Sequence, residues 1–478
     1  MASSEPRPAA TVVILREGED VPELLLTIRP QHLRFMGGAA VFPGGAVAAA
    51  DADERWTVAI EGPADPARIC ALREAFEEVG FLSAEGPVER VTKADADDAG
   101  LFLAACLSLG VRLRTDALVP GGRWVTPLGS TIRFDTAFFL TQVDAAWEPV
   151  ADPNEVEAWE WVTAADALAR LSTGDLLMAP PTIEMLQRIA GHASIEEVFD
   201  ALRDDPVDSA GRVLSFRLSP LVHVVLAPNP GPMTGPGTNT YIVGTGPSVV
   251  IDPAVEDETY LDEIKRVASD VSEILITHRH PDHVGGAAAL AAHWGVPVRA
   301  FGRADAGGAS VTPLYDGEFV DIGGSRLRAL HLPGHAPDHV CFLMEEAASL
   351  FAGDVILGEG TAVIVPPEGN MRTYLGSLEK LLSFHIDRIY PGHFRPLDGG
   401  RAVIEGYIAH RAERRDQVLA ALGRGADTPE AIVDMVYVDT PAALHPVAAQ
   451  QVLAMLEMLR DDGAVTLDGS RWRPASVP

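Results

Sequence analysis

His278-Arg279-His280-Pro281-Asp282-His283 follows directly on the apolar run Ile274-Leu275-Ile276-Thr277, so four potential metal ligands stand in six positions at the end of a buried strand. Two-residue spacing on a short loop lets His278 and His280 converge on one cation, while Asp282 and His283 turn toward a neighbouring position. Other apolar runs of the same half end alike: Val249–Ile251 in Asp252, Leu330–Leu332 toward His335, Leu350–Ala352 toward Asp354, and Ile389–Tyr390 toward His393. Buried strands thus deliver ligand-type side chains to one edge. A histidine or two behind a strand is more often a cap or a core group than a ligand, but His278, His280, Asp282, His283, His335, Asp354 and His393 together form a constellation for metal. Imidazole and carboxylate without thiolate suit zinc first, with iron or manganese also compatible. A water shared by two such cations ionises near neutral pH, so hydrolysis needs no side-chain nucleophile.

Outward from this loop, 478 residues exceed one core and predict two or three domains. From Thr11 to about Ala190 the chain reads as a mixed α/β unit, with strands Thr11–Leu15, Leu24–Ile28, Phe134–Val143 and Trp159–Val162 around a helix, Pro66–Val79. The polar stretch with Asp204, Asp205, Pro206 and Asp208 reads as a linker. Beyond about Arg401 the pattern is helical, over Ala402–Leu422, Pro429–Val436 and Ala443–Asp461, ending in a hairpin at Ala464–Trp472. The expected class is therefore α/β and α+β multidomain: a mixed unit over 8–190, a linker over 191–218, the ligand-bearing unit over 219–400, and a winged-helix-like domain over 401–478.

Composition excludes some roles. With 47% hydrophobic and 22% charged residues the chain is globular, and no apolar run reaches the ~20 residues of a membrane span. Without a signal-peptide core in Met1–Pro8, and with only Cys70, Cys106 and Cys341, the expected location is cytoplasmic and no disulfide framework is expected. A formal net charge of −31 disfavours polyanionic partners unless a local basic patch exists.

The His-x-His-x-Asp-His loop, with Pro-Gly-His at 333–335, Gly-Asp at 353–354 and Pro-Gly-His at 391–393, resembles the metallo-β-lactamase superfamily motif over roughly Leu221 to Arg395. The resemblance implies an αββα sandwich in which His278, His280 and His335 bind one zinc and Asp282, His283 and His393 a second. It also implies that Asp354 bridges the two, that Asp282 is catalytic as well as a ligand, and that Asp252 supports the loop. Lactam-cleaving zinc enzymes usually carry cysteine where Asp354 stands, which speaks against antibiotic hydrolysis. Pro232–Gly244 (PMTGPGTNTYIVG), His335-Ala-Pro-Asp338-His339 and the tail from His410 to Arg415 resemble the β-lactamase-like protein 2 group, which includes single-stranded RNA endonucleases. RNA is therefore a candidate substrate, with Arg401, Arg411, Arg414, Arg415 and Arg424 as candidate phosphate contacts, although a charged helix run is more often a solvated face. A thioesterase resembling glyoxalase II is the alternative.

In the first half, Arg73-Glu74-Ala75-Phe76-Glu77-Glu78-Val79-Gly80-Phe81 sets Glu74, Glu77 and Glu78 on one helix face, where adjacent anions repel unless a cation joins them. An acidic stripe alone is usually surface decoration, but this pattern resembles the Nudix box. The resemblance implies Mg²⁺ or Mn²⁺ held by Glu74, Glu77 and Glu78, with these residues and Arg73 as the catalytic set, attacking a small-molecule diphosphate. Leu25-Leu26-Thr27, Arg29, Arg34, Gly38 and Phe42-Pro43-Gly44-Gly45 resemble coenzyme A diphosphatases of that family, implying substrate contacts at Arg29, Arg34, Gly44 and Gly45. Asp65, far behind Gly45, departs from the usual upstream acidic position and reads as a helix cap. In the alternative reading this half is a nucleotide-binding regulatory module.

Overall fold

A computed structural model describes residues 5–30, 38–126, 132–173, 175–208, 213–302, 305–438 and 440–475. Two compact units divide between Arg212 and Val213.

In the first unit the apolar stretches pair into a mixed sheet. Its strands run Ala158–Thr163, Glu23–Ile28, Arg7–Arg16, Phe134–Gln142, Val119–Val125 and Val207–Asp208, in that spatial order. Arg7–Arg16 and Phe134–Gln142 are parallel, and both are longer-range partners than a hairpin could supply. The helix Pro66–Val79 has the bounds its sequence predicts, because Asp65 caps it by accepting from the Ala67 amide (3.0 Å) and Gly80 ends it with φ 77°. Its Ala71, Leu72, Ala75 and Val79 pack with Ala10, Val12 and Ile14 of the sheet, while Glu74 and Glu77 stay half-buried and Glu78 is buried.

The stretch 191–218, read as a linker, is built differently. Ser194 caps a helix, Ile195–Asp204, through the Glu197 amide, and Ile195, Val198 and Leu202 bury one face of it. Val207–Asp208 then adds an edge strand to the first unit, and Ser215–Ser219 opens the second. Charged residues on the outer face of this amphipathic helix mask its apolar stripe in a simple polarity reading.

The second unit is a sandwich. One sheet orders Ser215–Ser219, Val222–Leu226, Asn239–Val243, Ser248–Ile251, Val271–Leu275, Val298–Phe301 and Val311–Leu314. The other orders Phe319–Ile322, Ser325–His331, Val340–Met344, Ser349–Gly353, Arg388–Pro391 and Leu397–Asp398. Tyr241, Val249, Ile251 and Leu275 from the first meet Leu327, Phe342, Phe351 and Tyr390 from the second in the central core. The helices Glu258–Val267 and Ala287–Trp294 cover the first sheet. Met371–Leu381 and the tail helices Gly400–Gly423, Pro429–Val436 and His445–Asp461 cover the second, and the hairpin Val465–Asp468 with Arg471–Pro474 ends the chain. This is the expected αββα layering, followed by the winged-helix domain.

Candidate metal centres

The strand Val271–Leu275 runs out into the histidine loop, and Pro281 starts a one-turn helix, Pro281–Val284. That turn brings His283 back beneath His278. His335, Asp354 and His393 come from strand ends of the facing sheet, as their sequence positions predict. His280 Nδ1 lies 2.9 Å from His278 Nε2 and 3.0 Å from His335 Nε2. A single proton can serve only one of these contacts, whereas one cation serves all three nitrogens. The ligand atoms of His278, His280 and His335 lie within 4.8 Å of one another, as do those of Asp282, His283 and His393, and of His278, His283 and Asp354. Asp354 faces both groups: its Oδ1 is 3.5 Å from His283 Nε2 and 3.4 Å from His393 Nε2, and its Oδ2 is 3.7 Å from His335 Nε2. His283 Nε2 and Asp354 Oδ1 are buried with no hydrogen-bond partner. Buried, unpartnered donor atoms aimed at one point fit divalent cations.

The outward nitrogens are held as well. Asp252, at φ 52°, accepts from the Thr277 amide (2.7 Å) and hydroxyl (2.6 Å) and lies 2.8 Å from His283 Nδ1. His335 Nδ1 faces the Val363 carbonyl at 2.6 Å, and Thr277 Oγ1 is 3.0 Å from His278 Nδ1. The Asp354 amide donates to His339 Nε2 (3.0 Å), so the neutral His339 carries its proton on Nδ1. Gly353, at φ 47°, must be glycine here, since a Cβ would stand 2.6 Å from His339 Nε2. Thr277 and Glu368 escaped the sequence reading: the Arg279 guanidinium pairs with Glu368 at 2.5 Å, and Glu368 lies 4.0 Å from His280 Nε2. Neither position carries a ligand motif.

The two groups differ in charge. Burial pushes His278, His280 and His339 down, which keeps imidazoles neutral and able to donate lone pairs. Burial opposes charge on His283, but Asp354 and Asp252 outweigh it and push it well up. Against burial, Asp354 and Asp282 likewise raise His393 to about 9. Burial acts to raise Asp354, and its neighbours His393 and His283 overcome this and hold it well below the usual carboxylate range. Protons on His283 and His393 thus occupy the electrostatic place that a cation would take, and a cation bound there would displace them.

In the first unit Arg73 is buried against Asp51 (3.1 Å), Glu74 (2.8 Å) and Glu77 (3.5 Å). Asp51 was not foreseen, because nothing in its sequence context links it to the helix. Burial raises Glu74, raises Glu77 to about 7 with help from Glu74, and raises Glu78 well above the usual carboxylate range. The three carboxylates share a face, yet among the described residues they do not form a ligand group as close as those of the second unit. Arg29 is half-buried, with an unpartnered Nε. A Cβ on Gly44 would stand 2.3 Å from the Ala10 carbonyl oxygen of the strand Arg7–Arg16, so packing demands that glycine, whereas one on Gly45 would meet only the Glu74 carboxyl (2.4 Å), the movable end of a side chain. Arg34 lies outside the described residues.

Two of the tail arginines are placed otherwise than a phosphate grip requires, while Arg401, Arg415 and Arg424 are exposed. Arg411 is buried, and Arg414 is half-buried over the Tyr437 ring and bonded to the Val436 carbonyl. Arg401 pairs with Glu405 and Arg415 with Asp416, both on the surface.

Comparison with known proteins follows the same division. Family models match as Metallo-beta-lactamase superfamily over residues 233–393, as NUDT19 Nudix domain over 59–189, and as Beta-lactamase associated winged helix domain over 428–472. A Beta-lactamase-like protein 2 homolog of Drosophila melanogaster is 36% identical over 53% of this chain and 92% of its own length. The chain belongs to the metallo-β-lactamase superfamily. Within that superfamily it is also similar to a protein of Cryptosporiopsis sp. named Atrochrysone carboxyl ACP thioesterase, at 31% identity over 53% of this chain and 83% of the relative. A solved β-lactamase domain protein from Burkholderia ambifaria, 22% identical with a TM-score of 0.50, covers 57% of this chain and 96% of its own, and shares the fold. Metallo-β-lactamase and Nudix domains are both hydrolytic, and the chain is a metal-dependent hydrolase. Among the described residues no helix is long and apolar enough to cross a membrane.

Proposed function

We propose that the C-terminal half hydrolyses acyl thioesters at a two-cation centre, and that the N-terminal half cleaves the diphosphate of coenzyme A or of a related nucleoside derivative. The observation that carries the first reading is the position of Asp354, whose two oxygens face two separate histidine groups. Zinc, or iron or manganese in the same ligands, supplies an ionised water and polarises the bond under attack when bound. His278, His280 and His335 would hold one cation, Asp282, His283 and His393 the other, and Asp354 both. Asp252 and the Val363 carbonyl fix the rings of His283 and His335 so that Nε2 faces inward. Asp282, with an oxygen 3.5 Å from His393 Nε2, would handle a proton at the reacting edge.

A thioester is favoured over RNA for two reasons. Arg411 and Arg414 are engaged inside the protein, and a relative at 31% identity bears a thioesterase name. RNA remains the second reading because of the similarity to β-lactamase-like protein 2 homologues. In the N-terminal half Glu74, Glu77 and Glu78 would hold Mg²⁺ or Mn²⁺, Arg73 would fix Glu74 and Glu77, and Arg29, Arg34, Gly44 and Gly45 would border the diphosphate.

The test uses the full chain with one centre disabled at a time, Asp354→Asn or Glu77→Gln, against acyl-coenzyme A, coenzyme A, ADP-ribose and single-stranded RNA. Release of free thiol that Asp354→Asn abolishes and Glu77→Gln spares is the expected result, with the reverse pattern for diphosphate cleavage. RNA cleavage with intact thioesters reverses the first assignment. Nucleotide binding without cleavage makes the N-terminal half a regulatory module.

A further inference from the structure

The long tail helix Gly400–Gly423 turns Tyr407 and Arg411, one helical turn apart, toward the segment that follows Asp354. The Leu357 amide donates to the Tyr407 hydroxyl (3.0 Å), which also contacts the Leu357 and Gly360 carbonyls (3.0 and 3.1 Å). Five residues beyond Leu357, the Ala362 carbonyl accepts from the Arg411 guanidinium and from the Gln451 side-chain amide (2.8 Å). Gln451, on the helix His445–Asp461 of the winged-helix domain, also accepts from Arg411 at 3.3 Å. Both lone pairs of one backbone oxygen are thereby taken by two side chains from two tail helices. The next carbonyl along the chain is that of Val363, which accepts from His335 Nδ1 at 2.6 Å.

We propose that Arg411 and Gln451 are positioning residues for the metal centre, holding the 362–363 peptide so that the Val363 carbonyl sets the ring and tautomer of His335. This inference rests on the metal-centre reading above. Further facts support it beyond the bonds themselves. Arg411 is 3% exposed, forms none of the described ion pairs, and has an unpartnered Nε. It lies over the Tyr374 ring at 5.3 Å, and Tyr374 in turn donates to the Val355 carbonyl next to Asp354 (2.8 Å). A buried guanidinium without a carboxylate is costly, and an apolar side chain would fill the same helix face more cheaply, so its retention points to the orientation it imposes. A carbonyl partner fixes which nitrogen of a liganding histidine is protonated, and only Nδ1–H leaves the Nε2 lone pair for a cation. The winged-helix domain then acts as a wall of the catalytic centre rather than an appended nucleic-acid grip.

Cobalt(II) serves as the probe, because its visible absorption reports ligand geometry independently of turnover. The full-length protein, Gln451→Leu, Arg411→Met and the surface control Arg415→Ala are titrated with cobalt(II) after chelator treatment, with circular dichroism as the check on folding. The expected result is two cobalt ions in the parent and in Arg415→Ala. In Gln451→Leu and Arg411→Met one of the two sites should weaken by about 10–100-fold with an altered spectrum. Folded Gln451→Leu with the parent's affinities and spectrum overturns the proposal, even where Arg411→Met fails to fold. A parent that binds no cobalt at all would instead overturn the metal-centre reading itself.

Discussion

Replacing Asp252 by Asn changes one oxygen to an amide nitrogen at a site that has no room for a new donor. Asp252 is 2% exposed and sits at φ 52°, a backbone conformation Asn adopts about as readily as Asp, so the backbone cost is small. Its Oδ1 accepts from the Thr277 amide, and its Oδ2 from the Thr277 hydroxyl while also facing His283 Nδ1. If the new NH₂ takes the Oδ1 position, it meets the Thr277 N–H donor to donor, and a buried unsatisfied group costs about 1–3 kcal/mol of stability. If it takes the Oδ2 position, His283 Nδ1 must become an acceptor. The His283 proton then moves to Nε2, the atom 3.5 Å from Asp354. The second cation loses a lone pair in that tautomer. Weakening by about 10–100-fold follows, equivalent to about 1.4–2.7 kcal/mol. Zinc titration by calorimetry of the chelator-treated protein should show one site unchanged and one weakened. Two sites with parental affinities in folded Asp252→Asn would falsify the tautomer argument.

His280→Ala and Asp354→Ala should each abolish the C-terminal activity while leaving the circular dichroism spectrum unchanged; full turnover in either removes the site from consideration. Glu77→Gln should reduce magnesium-dependent diphosphate cleavage by about 10²–10⁴-fold, measured as product formed from coenzyme A. Glu77 is raised from 4.5 to about 7 in the fold, so the folded state holds its proton over a range where the unfolded chain has lost it. Metal-free protein should therefore lose stability as pH rises from about 4.5 to 7, and thermal melts of Glu77→Gln should lack that component of the slope. Exchanging the exposed Arg415 and Arg424 for Ala should leave thioester hydrolysis unchanged; a loss of RNA binding with a flatter salt dependence would bring the RNA reading forward.

The histidine loop was readable because its donors are adjacent in sequence and follow closely on the apolar Ile274-Leu275-Ile276. Asp252, Asp354 and His393 were readable for the same reason, each ending an apolar run. Asp51 was not, since its meeting with Arg73 spans 22 positions and depends on how the intervening turns fold back. Arg411 misled because a run of arginines and glutamates on a helix reads as a wet face. Only the packing of the tail against the second sheet shows that Arg411 points inward while Arg415 does not. The Ile195–Asp204 helix was hidden by the acidic residues around it, although Ser194 is a good cap.

The donors of the C-terminal centre come from both layers of the sandwich: the loop after Val271–Leu275 belongs to one sheet, and His335, Asp354 and His393 leave strands of the other. A cation pair at that edge would therefore be a rivet through two plates. Loading it ties cohesion of the sandwich to free metal, and each tenfold rise in concentration above the dissociation constant adds about 1.4 kcal/mol per site. Stripping it would leave proton-borne charge on His283, Asp354 and His393 as the tie at that edge, beside the apolar core between the sheets. Amide exchange on chelation should then quicken first where these strands end, in both sheets at once.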